Sequence, residues 1–139
     1  MARSPDIIPS RNEEETLPAE VADAIAEIGG LDKLTAVLPS AKEMALQVGF
    51  HRILSDKIRL SILWAINCCD LCPCVLTEFL HISDSRLSYH LSVLEHAGLI
   101  TSCPKKNWKI YSITASGREA LLTSQECAKK FAPKSSKKK

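Results

Sequence analysis

Four of the chain's six cysteines fall together, at Cys68, Cys69, Cys72 and Cys74. Thiolates bind soft and borderline ions, and such a cluster suits zinc, cadmium, lead or trivalent arsenic in the form of arsenite. Cys69-Asp70-Leu71-Cys72 is also a Cys-x-x-Cys, a spacing that permits one disulfide or exchange between two. The N-terminus lacks the apolar core of a signal peptide. No apolar run is long enough for a membrane span, and Ile62 to Ile66 stops at Asn67. A cytoplasmic protein without a membrane partner is therefore expected. Clustered cysteines there point to metal or redox chemistry more than to structural disulfides. Three readings stay open: a thiophilic metal or metalloid ion, a redox switch with no cofactor, or cysteines serving as small hydrophobes.

A second chemistry-bearing stretch covers residues 82–100. Ser83, Ser85, Arg86, Ser88, Tyr89, His90 and Ser92 are interleaved with Leu87, Leu91 and Leu94. The leucines recur at helical spacing and form one apolar stripe. Ser83 is placed to cap this helix, and Gly98 to end it in a left-handed residue. A merely solvated helix would favour Glu and Lys on its polar face, because their helix propensity is higher. Short hydrogen-bonding side chains beside an arginine suit the floor and walls of a DNA major groove. His90 is expected to contact DNA or to hold a structural hydrogen bond rather than a metal. His51, His81 and His96 are scattered and carry no assignment.

The flanking elements would position this helix. Val75 to Leu80 reads as a short apolar helix and His81-Ile82 as a tight turn, which is helix-turn-helix spacing with the second helix as reader. Leu99 to Cys103 and Trp108 to Ile113 are β-prone runs around the basic tip Pro104-Lys105-Lys106-Asn107, and predict a hairpin. The fold class is thus mainly α with a small β-hairpin, a winged helix-turn-helix. Lys105, Lys106 and Lys109 would lie along phosphates, which adds affinity without sequence information.

In this order the segments resemble the ArsR/SmtB family of metal- and stress-sensing repressors. Leu54 to Leu63 resembles its opening L-[AS]-D-x-x-R-L-x-I-L. Leu71 to Leu76 resembles its metal box L-C-V-C-x-L, Ser83 to Leu91 resembles S-Q-[SP]-x-[IV]-S-x-H-L, and Leu94 to Ile100 resembles L-[LR]-x-[AS]-G-L-[IV]. Trp108 to Ile113 resembles the returning strand of the wing. The resemblance spans roughly residues 40–125. It implies a homodimer with an α-helical interface built from the first and last helices of the domain. It also implies a sensor at Cys72 and Cys74. Thr77 stands at the family's third ligand position and supplies no thiolate, so Cys68 or Cys69 is the candidate replacement. Pro73 between the two cysteines is atypical and would break helix hydrogen bonding there. The last helix has no histidine, so the family's other zinc site is not expected.

Charge is uneven although the net is only +2. Residues 1–38 hold 3 Lys/Arg against 8 Asp/Glu, and residues 100–139 hold 10 against 2. The wing and tail would therefore attract phosphates. Residues 1–17, with Glu13-Glu14-Glu15, are read as a disordered acidic segment. Residues 18–38 form a helical extension in which Val21, Ile25 and Ile28 share a face and Gly29-Gly30 ends the first helix. Residues 39–131 form the DNA-binding and dimerisation domain, and 132–139 a basic tail. Within the domain, Ser55 is expected to cap the next helix and Trp64 to fill the interior, while Arg59 would serve a phosphate or an intramolecular carboxylate, the structural role being favoured.

The function expected is a homodimeric repressor on double-stranded operator DNA, released by a metal or metalloid at the cysteines. A redox-responsive regulator using the same thiols is the alternative. Further alternatives are a metal-handling protein without a DNA role and a winged helix docking on another protein. With no Gly-rich phosphate loop and no site-like carboxylate pair, an enzyme is not expected.

Overall fold

The computed structural model describes residues 16–131. The expected acidic segment and basic tail lie outside the described residues, apart from Thr16 and Leu17, which carry no regular structure. The element order is α1 (Ala19–Ile28), α2 (Leu31–Ala36), α3 (Ala41–Leu54), α4 (Lys57–Cys68), α5 (Pro73–Leu80), α6 (Asp84–His96), β1 (Ile100–Lys105), β2 (Trp108–Ile113) and α7 (Ala115–Lys129). Contacts divide the chain into two units between Met44 and Ala45, within α3. No helix among the described residues is long and apolar enough to cross a membrane.

In the first unit, α1 ends at Gly29, whose φ of 102° closes the last turn in the left-handed region. Helix α3 opens on a reciprocal cap. The Glu43 N–H donates to Ser40 Oγ at 3.2 Å, and the Ser40 N–H and Oγ–H donate to Glu43 Oε2 at 3.3 and 2.8 Å. This capping box satisfies backbone donors that a helix start leaves free.

The second unit has one core. Ile62, Leu63 and Ile66 of α4 meet Leu76 of α5 and Leu87, Leu91 and Leu94 of α6, with Ile100, Tyr111 and Leu121 closing it. Trp64 is not among them. Ile62, Leu63 and Ile66 take the inward face of α4, which turns Trp64 outward to 39% exposure. The cap of α4 is Asp56, one residue beyond the expected Ser55. Its carboxylate accepts from the Arg59 N–H at 3.0 Å, while Ser55 Oγ donates back to the Arg52 carbonyl at 3.1 Å. Pro73 does not break a helix either. It occupies the first turn of α5, where its missing N–H has no intrahelical partner to lose.

The hairpin is longer than the sequence predicts. Pro104 and Lys105 belong to β1 and pair with Lys109 and Trp108, leaving Lys106-Asn107 as the turn. Leu71, just before α5, adds a third element. Its N–H donates to the Tyr111 carbonyl at 3.1 Å and its carbonyl accepts from the Tyr111 N–H at 2.8 Å.

The start of α7 closes the unit tightly. Thr114 Oγ1 donates to the Gly98 carbonyl at 2.7 Å and accepts from the Gly117 N–H at 2.9 Å. A Cβ at Gly117 would collide with the Leu99 carbonyl oxygen and come within 2.9 Å of Ile113 Cγ1. Neither can retreat easily, since Leu99 O also accepts the Thr114 N–H. Gly117→Ala is therefore expected to destabilise the fold by about 2 kcal/mol or more. Urea unfolding checks this, and an unchanged midpoint would remove Gly117 as a packing constraint.

Candidate nucleic-acid interface and thiol pair

The α6 helix starts on Ser83, whose Oγ accepts from the Arg86 N–H at 3.2 Å. Helical spacing then sorts its side chains. Leu87, Leu91 and Leu94 are buried, while Ser85, Arg86, Ser88, Tyr89 and Ser92 are exposed, Tyr89 by 60%. The exposed set includes four of the expected groove contacts, on the solvent side of a helix anchored by its leucines. Lys105, Lys106 and Lys109 are exposed on the wing. Lys106 opens the turn at φ 59°, a region glycine usually occupies there, at a cost of order 1 kcal/mol. Lys109 Nζ stands 5.7 Å from the centre of the Tyr111 ring.

Of the two roles expected of His90, a DNA contact or a structural hydrogen bond, the structure shows the second. His90 lies on the inner side of α6 at 5% exposure, and its Nδ1 faces Arg59 Nη1 at 3.1 Å. Arginine only donates, so His90 Nδ1 accepts and Nε2 carries the ring proton. The same guanidinium donates from Nε to the Ile53 carbonyl at 2.8 Å and from Nη2 to the Arg52 carbonyl at 3.3 Å. These carbonyls end α3, where the helix dipole favours a cation. Arg59 thus has a structural role, tying α3 and α4 to α6, with two carbonyls and a histidine ring as side-chain partners in place of the expected carboxylate. Burial pushes the His90 pKa below its ordinary 6.5, with the Arg59 and Arg86 charges acting in the same direction and Asp56 opposing them.

Of the four clustered cysteines, two meet. Cys72 caps α5, and its Sγ lies 2.9 Å from Cys74 Sγ. The Cys74 thiol and the Val75 backbone N–H hold the Cys72 pKa below the usual thiol value, while the same shared hydrogen pushes Cys74 up. Cys68 and Cys69 are exposed, and neither completes a donor set. No group of three or more His, Cys, Asp or Glu side chains is placed to hold a metal ion among the described residues. The reason is local. Cys68 ends α4, and Cys69 is extended at φ −165° and ψ 160°. Leu71 is then held to β2, so the chain cannot fold Cys69 back over Cys72. A tetrahedral four-donor zinc site does not fit this arrangement. The Leu71 bridge was missed in the sequence because a one-residue strand has no periodicity.

A sequence model described as "Bacterial regulatory protein, arsR family" matches residues 56–102. The arsenical resistance operon repressor of Bacillus subtilis is 35% identical over 79 residues, covering 55% of this chain and 73% of that protein. A putative arsenical resistance operon repressor of Halobacterium salinarum is 31% identical over 105 residues, covering 74% and 78%. In fold, the chain is similar to a homodimeric winged helix-turn-helix DNA-binding domain from Mycobacterium bovis, described as a possible ArsR-family regulator. The TM-score is 0.59 at 15% identity, covering 73% of this chain and 97% of the other.

A depressed His90 pKa means that the folded protein resists protonation that the unfolded chain accepts. The associated stability is present above about pH 6.5 and is lost as the pH falls through the lower folded value. The thermal midpoint should drop between pH 7.5 and pH 5. His90→Gln, which offers Arg59 a neutral acceptor, should flatten that dependence. An equally steep drop in the variant would place the titrating group elsewhere.

Proposed function

We propose, for a chain that belongs to the ArsR family of bacterial regulatory proteins, that a homodimer represses transcription by binding double-stranded operator DNA. A thiophilic metalloid at Cys72 and Cys74 releases it. The observation that carries the DNA reading is the outward face of α6. Ser85, Arg86, Ser88 and Tyr89 are exposed there together, backed by a buried leucine stripe. Arg86 would read base edges, and the serines and Tyr89 would contact bases and phosphates. Lys105, Lys106 and Lys109 would add phosphate contacts from the wing.

Dimerisation is supported by an apolar groove of ≈ 810 Å³ between α3 and α7, lined by Phe50, Leu54, Ala120, Cys127 and Phe131 among others. Phe50 and Phe131 are 40% and 72% exposed in the single chain. A second copy would cover them and double the base contacts on a palindromic site.

Release follows from differential binding: a ligand that favours a geometry unable to bind DNA shifts the population toward it. Cys72 caps the helix leading into the reading helix, and its neighbour Leu71 is held to the wing, so a change at the thiols would reach both DNA-contacting parts. The names of the two arsenical resistance repressors support a metalloid signal. A disulfide switch at the same pair is the second reading, favoured by the 2.9 Å separation of the sulfurs.

Arg86→Ala is expected to weaken specific DNA binding by ~1–3 kcal/mol without unfolding the protein. Fluorescence anisotropy on an operator duplex checks this, and unchanged affinity would sink the reading-helix assignment. Binding by the unaltered protein should also weaken steeply with salt. Absence of duplex binding at low salt would favour the metal-handling or protein-docking alternatives. If only an oxidant releases DNA and a reductant restores it, the disulfide reading replaces the metalloid one.

A further inference from the structure

Glu95 stands where its own chemistry is unfavourable. It lies in the last turn of α6, where the helix dipole is negative and favours a cation over a carboxylate. It also adds a negative charge to a helix whose outward side chains are proposed to meet DNA. Neither the helix nor the proposed ligand favours an acid there. The contact it makes accounts for it. Ser102 Oγ donates to Glu95 Oε2 at 2.8 Å, and both residues are partly buried.

Ser102 occupies a particular rung of the hairpin. It pairs with Tyr111 across the strands. Tyr111 gives its backbone N–H and carbonyl to Leu71, so these groups point away from β1. The rung is thus held from two sides, by the Leu71 backbone at the edge of β2 and by the Glu95 carboxylate at the end of α6. On the core side of this rung, Ile100 pairs with Ile113, and Leu99 accepts the Thr114 N–H. On the other side lie Lys105, Lys106 and Lys109. Lys105 is three residues beyond Ser102 in β1, about 10 Å at the rise of a strand. A small rotation at the rung is multiplied over that length.

We infer that Glu95 is a positioning residue for DNA recognition. Through Ser102 it sets the angle of the wing against α6, so that the wing lysines and the outward face of α6 engage one duplex together. This rests on the DNA-binding reading above and adds a residue that is not itself a DNA contact. A charged acceptor holds a hydroxyl more strongly than a neutral one. The same charge repels phosphates, so charge and position predict opposite effects of removing it.

The test uses the full chain and an operator duplex selected by it from a random-sequence pool, with affinity measured across a salt series. Glu95→Ala removes a negative charge, which alone would tighten binding. Loss of the strut should instead weaken it by about three- to tenfold. The salt dependence should become shallower as wing lysines leave their phosphates. Ser102→Ala changes no charge and should act in the same way, and the double variant should bind no more weakly than either single one. Glu95→Gln and Ser102→Thr keep an acceptor and a donor, and should bind at least as tightly as the unaltered chain. Discrimination between the operator and a scrambled duplex should persist throughout.

A second readout needs no DNA. The chain has two tryptophans, Trp64 on α4 and Trp108 on the wing. With Trp64→Phe as background, fluorescence anisotropy decay should show wider local motion of Trp108 in Glu95→Ala and Ser102→Ala. Unchanged or tighter duplex binding by these two variants, or unchanged Trp108 motion, would overturn the strut. If the unaltered chain selects and binds no duplex at low salt, the DNA reading falls and the role of Glu95 in recognition falls with it. The Trp108 motion then still decides whether Glu95 fixes the wing.

Discussion

The guanidinium of Arg59 is the constraint on which the placement of α6 depends. It is 9% exposed, and the partners of its donors are two backbone carbonyls and a histidine ring. A buried cation costs several kcal/mol unless its donors are satisfied and its charge is balanced. Here the exposed carbonyls at the end of α3 supply both acceptors and the negative end of a helix dipole. His90 supplies the remaining acceptor only while neutral. Three elements, α3, α4 and α6, therefore share one group. A lysine would lose the rigid fork that reaches them simultaneously. The position of Arg86 and Tyr89 in space thus depends on a residue 27 positions before Arg86 in the sequence.

That arrangement explains why a histidine turns inward in a helix whose polar side chains otherwise face solvent. Its neighbours Ser88 and Tyr89 face solvent, and His90 turns inward beside Leu91. A leucine there would fill the space but leave an Arg59 donor unpaired, at a cost of about 1–3 kcal/mol. The imidazole is both packing and acceptor. The polar identity of this position therefore reflects the needs of the core, although it lies within a run whose other polar members point outward.

Much of this was legible in the residues, and the boundary between legible and hidden is physical. The Ser83 cap, the leucine stripe, the turn at His81 and the hairpin all depend on patterns a few residues long, and each appears where its pattern predicts, save that the hairpin's first strand runs on through Pro104 and Lys105. His81 takes φ 56° and Gly98 φ 79°, the left-handed turns that separate the elements. Ser55 and Asp56 are both good caps, and only geometry decides between them. Trp64 looks like core by type, but its place on α4 is set by which face Ile62 and Ile66 take. The Arg59–His90 contact spans 31 residues and has no local signature. The cysteines teach the same lesson in reverse. Their clustering in sequence suggests a shared site, but the extended Cys69 and the bridge at Leu71 separate what the chain brings near.

The bridge also fixes what a thiol ligand is able to do. Leu71 exchanges two hydrogen bonds with Tyr111, and Tyr111 is buried in the core beneath the wing. Cys72 follows immediately and begins α5, which reaches α6 through a single left-handed turn. A ligand bridging Cys72 and Cys74 would part sulfurs that stand 2.9 Å apart and would act on a residue whose backbone is restrained on both sides. It would do so by reshaping the first turn of α5 or by straining the bridge. The first route would tilt the helix proposed to read bases, and the second would displace the lysines proposed to hold phosphates. Base contacts govern which sequence is chosen, while phosphate contacts govern affinity for any duplex. A protein released through the wing would lose specific and non-specific binding together, whereas one released through α5 alone would remain on DNA and lose its site. The placement of Leu71 beside Cys72, rather than a turn away, ties the thiols to the wing as directly as to the helix. Under the proposed thiol-triggered mechanism, complete release is the outcome this geometry would favour.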